Sequence, residues 1–222
     1  AFYWAGGAGF AFLWGRLMDT IGRRRTLVTG LCFGAAGAGL ASAAVVAGRF
    51  WGFVVGLIFM GSAQTAVQLA RFVAAEVHDR AERGRAIATV VLGGTIGGVA
   101  GPLLVAPMSA AAQSLGLPGL AGPYWASMGF FLVGAVVVTL FLRPEPRDLA
   151  LALEASNVAP GATAHPARPV GEILRDRWVQ VAMLSMLLAQ GMMSTLMVIS
   201  SLYMRERGHA LGGISVAMSS HV

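Results

Sequence analysis

Gly15-Arg16-Leu17-Met18-Asp19-Thr20-Ile21-Gly22-Arg23-Arg24-Arg25 decides the fold of this chain. From Phe2 to Trp14 no side chain is acidic or basic, and the 22 residues from Thr26 to Ala47 also lack one. A compact Gly, Asp and Arg run between two such stretches reads as a tight turn joining two membrane helices.

Composition points the same way. Mean hydropathy is +0.71, 56% of residues are hydrophobic and only 12% are charged. A soluble domain carries about 25% charged residues, so most of this surface does not face water. The net charge of +6 comes from Arg, with no Lys. A basic balance suits nucleic acid only on a soluble basic face, and the apolar spans leave no room for one. The expected surroundings are a lipid bilayer and no nucleic acid. Cys32 is the single cysteine, which rules out a disulfide framework within the chain. The chain starts without Met inside an apolar segment and ends inside another, the expectation being an internal fragment of a longer protein. The first segment lacks the basic leader of a signal peptide.

A spanning helix needs roughly 20 mostly apolar residues. Five stretches meet this: Thr26–Ala47, Phe50–Ala70, Ala86 to about Ala111, Tyr124–Leu142 and Trp178–Met204. Phe2–Trp14 and Ala210–Val222 read as two truncated spans. None alternates as barrel strands do. Residues 113–123, rich in Gly and Pro, supply a turn. The fold class is an all-α integral membrane bundle.

Arginine placement gives the orientation. Loops one, three and five hold 13 of the 16 arginines, among them Arg16, Arg71, Arg83, Arg147 and Arg168. Cytoplasmic loops collect Lys and Arg. Loops 15–25, 71–85 and 143–177 are therefore expected in the cytoplasm of a multi-pass cell (inner or plasma) membrane protein. Loop five has linker composition, with Pro144, Pro146, Pro160, Pro166 and Pro169. Within it Asp148–Ala155 reads as a short helix, and Gly171–Arg177 as a segment at the membrane surface.

The opening run resembles the signature loop between the second and third helices of the major facilitator superfamily, Gly-x-Leu-x-Asp-Arg-x-Gly-Arg-Arg/Lys. Gly15, Leu17, Asp19, Gly22, Arg23 and Arg24 match, and Thr20 departs where the family has Arg. The resemblance covers essentially the whole chain. It implies about family helices two to eight of a twelve-helix protein: a first half over residues 1–142, a cytoplasmic linker over 143–177, and the start of a second half over 178–222. It also implies a secondary carrier of a small solute working by alternating access, without a cofactor, in which Gly15, Asp19, Gly22, Arg23 and Arg24 form a gating latch. Arg83-Gly84-Arg85 resembles the family's approach to the fifth helix.

Gly93, Gly97, Gly101 and Pro102 resemble the Gly-x3-Gly-Pro core of an antiporter motif, implying proton-coupled efflux. Val105 and Ala106 depart from it. The alternative for Gly97, Gly101 and Pro102 is helix packing with a kink. Gly30, Gly34, Gly37 and Gly39 are read as packing positions. No acid lies in mid-span, so proton coupling needs a group outside these residues or His221.

Gln64, Gln68 and Arg71 share one helix face. Polar groups in a bilayer are costly and turn toward a cavity or another helix. Gln64, Gln68, Gln190 and Ser194 are candidate cavity-lining residues, with packing as the alternative. Arg71 either joins a charge network with Asp19 or Glu76, or snorkels to the interface. Asp19 and Glu76 read as the only acids close to the spans on the helix-facing side of the loops. The four His are isolated, so no metal site is expected, nor is an enzyme. A transport-inactive membrane receptor or scaffold on the same fold is the alternative function, separated from a carrier by whether Gln64, Gln68 and Gln190 line a watery centre.

Overall fold

A computed structural model describes residues 2–79, 81–157 and 170–219. Arg80, Arg168 and His221 lie outside them. The described residues form ten α-helices and no strand: α1 Phe2–Ile21, α2 Arg23–Val46, α3 Phe50–Glu76, α4 Arg83–Leu103, α5 Val105–Ser114, α6 Gly122–Phe141, α7 Pro146–Asn157, α8 Val170–Arg175, α9 Arg177–Glu206 and α10 Leu211–Ser219. A 3₁₀ turn, Gly119–Ala121, precedes α6. Helices are the expected solution in lipid, because they satisfy every backbone polar group internally.

Five helical segments are long and apolar enough to cross a membrane: Arg23–Val46, Phe50–Glu76, Arg83–Leu103, Gly119–Phe141 and Arg177–Glu206. They coincide with the five full spans read from the sequence. The third of those expected spans, Ala86 to about Ala111, is broken at Leu104 into α4 and α5. Pro107 has no N–H for the Leu103 carbonyl, and Pro fits best in a helix's first turn. The second helix therefore starts afresh two residues before it.

The core is a three-helix unit of α1, α2 and α3, with α6 against α2. Small residues let the backbones approach. Gly61 faces the Tyr3 carbonyl across α1 and α3, and Gly6 faces the Ile58 carbonyl in return. Gly37 and Gly56 make the same reciprocal contact between α2 and α3, each Cβ position lying 2.7–2.8 Å from the other's carbonyl oxygen. Dispersion and close approach replace the hydrophobic effect between helices in lipid. The packing reading of Gly30, Gly34 and Gly37 fits this interface. Inside it, Trp14 Nε1 donates to Ser62 Oγ at 2.9 Å with both residues buried. Phe33 stacks on Phe59 at 5.0 Å and meets Trp14 edge-on at 5.8 Å.

The rest is more open. α4 has no buried residue and packs on α3, α5 and α10. α9 touches only α8 and α10 among the described helices. α7, from the expected linker, packs back on α2 and α3, and α8 occupies part of the segment expected at the membrane surface.

Candidate functional site

The charged run is not a loop. α1 continues through Arg16 and Asp19 to Ile21, α2 begins at Arg23, and the turn is one residue, Gly22, at φ 97° and ψ 161°. That region is open essentially to Gly alone. The expected tight turn is thus tighter than its sequence suggests, and it stacks the signature side chains over the ends of three helices.

Arg23 is the hub. Its Nε donates to Glu76 Oε2 at 3.1 Å and its Nη2 to Glu76 Oε1 at 3.4 Å. Nη1 donates to the Met18 carbonyl at 2.7 Å and pairs with Asp19 Oδ1 at 3.2 Å. One guanidinium thus joins the end of α1, the start of α2 and the end of α3. A planar fork suits this; an ammonium does not. The Arg23 side chain is 15% exposed and that of Asp19 73%, so the carboxylate of Asp19 stands mostly free at the surface. Below the hub, Met18, Leu27 and Val73 form an apolar cluster.

Arg24 makes a second tie. Its backbone N–H donates to Glu145 Oε1 at 3.1 Å, and its Nη2 donates to the Thr139 carbonyl at 2.6 Å. Glu145 thereby places a negative charge at the start of α2, where the orphan N–H groups and the helix dipole favour it. The expectation that Asp19 and Glu76 are the only acids near the spans is corrected here. In the sequence Glu145 reads as linker because it lies between Pro144 and Pro146. Its signal is its position, three residues beyond the last apolar residue of a span.

The hub opens on a cleft of about 460 Å³ lined by Asp19, Arg23, Glu76, Arg83, Arg147 and Leu151, among others. Side chains from all three arginine-rich loops therefore meet at one end of the bundle. Gly15 lies on α1 a turn before Asp19, with open space where a Cβ would stand.

Arg71 is not in this network. Both ion pairs found among the described residues belong to Arg23, and its carboxylates are those expected for Arg71. The Arg71 guanidinium lies 5.1 Å from the Phe72 ring centre, and its Nε is buried without a hydrogen-bond partner. Gln64 is half-buried and Gln68 exposed on the same helix. Gln190 is exposed and Ser194 half-buried on α9, which does not touch α3, so the four candidate cavity residues do not converge. Gly97 and Gly101 have nothing within 4 Å of a Cβ position, so their stripe packs on no described helix. Pro102 lies within α4, two residues before the break. Among the described residues no group of His, Cys, Asp or Glu could hold a metal ion.

Residues 1–220 match the family profile described as Major Facilitator Superfamily. The chain is 33% identical over 223 residues to a Bacillus subtilis (strain 168) protein named as the uncharacterized MFS-type transporter YdeG, covering 100% of this chain and 51% of that one. A second protein of that strain, named as the uncharacterized MFS-type transporter YddS, is 27% identical over 100% of this chain and 51% of its own. The riboflavin transporter RfnT of Brucella anthropi is 25% identical over 92% of this chain and 48% of its own. The chain thus spans about half the length of the curated relatives it matches. No solved structure matches it. With five membrane-length helices, a signature run gathered around Arg23 and a family match from end to end, this chain of a multi-pass membrane protein belongs to the Major Facilitator Superfamily.

Proposed function

We propose that the chain is about half of a secondary transporter that moves a small solute across the cell membrane by alternating access. Residues 1–142 form its first half, 143–177 a cytoplasmic linker, and 178–222 the start of its second half. Segments 15–25, 71–85 and 143–177 face the cytoplasm. Two halves rocking about a midplane site need contacts that form in one state and break in the other.

The grip of Arg23 on Asp19 and Glu76 carries the reading. It divides the signature into two jobs. Arg23, Arg24, Glu76 and Glu145 hold the helix ends of the first half together as one body. Asp19 presents its exposed carboxylate outward, where the second half docks on it in one state and leaves it in the other. Such docking must be worth only a few kcal/mol, or one state would never be left. Gly22 makes the arrangement possible by reversing the chain in a single residue. Proton coupling and efflux, suggested by Gly97, Gly101 and Pro102, remain the energetic arm of the proposal.

The test is solute flux in vesicles carrying the full-length protein. Riboflavin, for which one relative is named, and small organic anions are the first cargoes to try. Asp19→Asn and Arg23→Ala should each reduce flux with membrane insertion intact. Flux that survives collapse of the proton gradient would remove the coupling arm, and wild-type flux in both variants would remove the latch.

A further inference from the structure

α3 carries a polar stripe that the latch does not use. At 100° per residue, Gln64, Gln68 and Arg71 fall within about 60° of one another. The buried residues of α3, namely Val54, Gly56, Gly61, Ser62, Ala63, Ala66 and Val73, all lie outside that arc. They serve the packing: Gly61 faces Tyr3 of α1, while Gly56, Ala63 and Ala66 face Gly37, Gly34 and Gly30 of α2. The stripe looks away from α1 and α2, while α4 and α7 also pack on α3. With a rise of 1.5 Å per residue it begins about 7 Å inside the end of α3 at Arg71 and reaches about 18 Å inside at Gln64.

On this stripe the only charge is positive. Arg71 has no ion pair among the described residues, and its Nε is buried without a partner. The two carboxylates that could have paired with it, Asp19 and Glu76, are both held by Arg23. A buried guanidinium donor left unmatched is costly, and its fork is shaped for an oxyanion. One and two turns deeper, Gln68 and Gln64 each offer an amide that can donate and accept. Ser62, Thr65 and Glu76 apart, the rest of α3 is apolar, and the stripe is the donor set for one anionic head and an attached polar body.

We propose that Gln64, Gln68 and Arg71 form an anion-recognising wall of the solute path, and that the solute is a small organic anion bearing a carboxylate, phosphate or sulfonate. The proposal rests on the transport reading for the word solute, but its test does not require transport.

The test uses purified full-length protein in detergent, with Cys32→Ser in the background and Gln68→Cys as the single thiol. Two methanethiosulfonate reagents are compared, one carrying a sulfonate and one a quaternary ammonium, each rate divided by that for free 2-mercaptoethanol. Residues three apart on a helix are about 5–6 Å apart, so an unpaired Arg71 should favour the sulfonate about three- to tenfold. Adding Arg71→Gln should abolish the preference, and Arg71→Lys should keep most of it. An unreactive thiol at position 68, a rate without charge preference, or a preference that survives Arg71→Gln would overturn the proposal. Any of those results would leave the latch untouched. Failure of flux would in turn leave the charge preference standing.

Discussion

Arg23 grips Glu76 with two nitrogens, Nε to Oε2 at 3.1 Å and Nη2 to Oε1 at 3.4 Å, fastening the start of α2 to the end of α3. The pair is not equally sheltered, Arg23 being 15% exposed and Glu76 40%. Removing Arg23 should therefore cost more than neutralising Glu76, because it strands two carboxylates and the Met18 carbonyl. After discounting for solvent, coupling in an Arg23→Ala/Glu76→Gln cycle should be about 1 kcal/mol. Thermal unfolding of the four full-length proteins in detergent measures it. Arg23→Lys should behave much like Arg23→Ala, since an ammonium cannot span both Glu76 oxygens and Met18.

Gly22→Ala should destabilise by about 1–3 kcal/mol through its backbone angles alone. A Cβ there also lies 2.9 Å from Glu145 Oε1, so the carboxylate must leave the Arg24 N–H. Lower yield of monodisperse protein and a lower melting temperature would show both effects. An unchanged melting temperature would mean the one-residue turn is wrong.

Glu145→Gln keeps an acceptor for Arg24 but removes the charge facing the start of α2. The expected loss is about 1 kcal/mol or less, with the larger effect on local opening. Trypsin should cut faster at Arg147 in the variant, read by mass spectrometry. Unaltered cleavage would make Glu145 a bystander.

Two glycines should answer oppositely to the same change. Gly61→Ala drives a methyl into the Tyr3 carbonyl and should cost at least about 2–3 kcal/mol. Gly97→Ala meets open space within this chain. It should leave the melting temperature of the folded protein within about 1 °C, unless a helix beyond these residues covers the stripe. Paired melting curves decide this, and a large loss at Gly97 would place such a helix there.

The spans and the fold class are legible in the sequence because bilayer thickness imposes length and apolarity on each helix separately. The contrast between the charged Gly15–Arg25 run and its uncharged flanks needs no tertiary information. What the chain does not reveal alone is pairing. The i, i+4, i+7 rule places Arg71 on the Gln64 face, but no local rule decides which cation wins Glu76. Arg23 does, because the one-residue turn at Gly22 sets its Cα over the end of α3. Glu145 is hidden for the opposite reason: two flanking prolines look like a linker, whereas here they lead the chain back under α2. Gly97 and Gly101 have the spacing of a packing stripe, and spacing cannot say whether a partner helix is present.

In the proposed cycle the second half docks on Asp19 in one state and leaves it in the other, while Arg23 holds the first half together. Hydrogen–deuterium exchange of the full-length protein in lipid nanodiscs, wild type against Asp19→Asn, tests it most directly. Losing an interaction of about 1 kcal/mol shifts a two-state balance roughly fivefold. Exchange should be faster around residues 15–25 and 71–85, and slower at the opposite helix ends near 47–50 and 115–122. Indistinguishable exchange at both ends would contradict the proposed cycle.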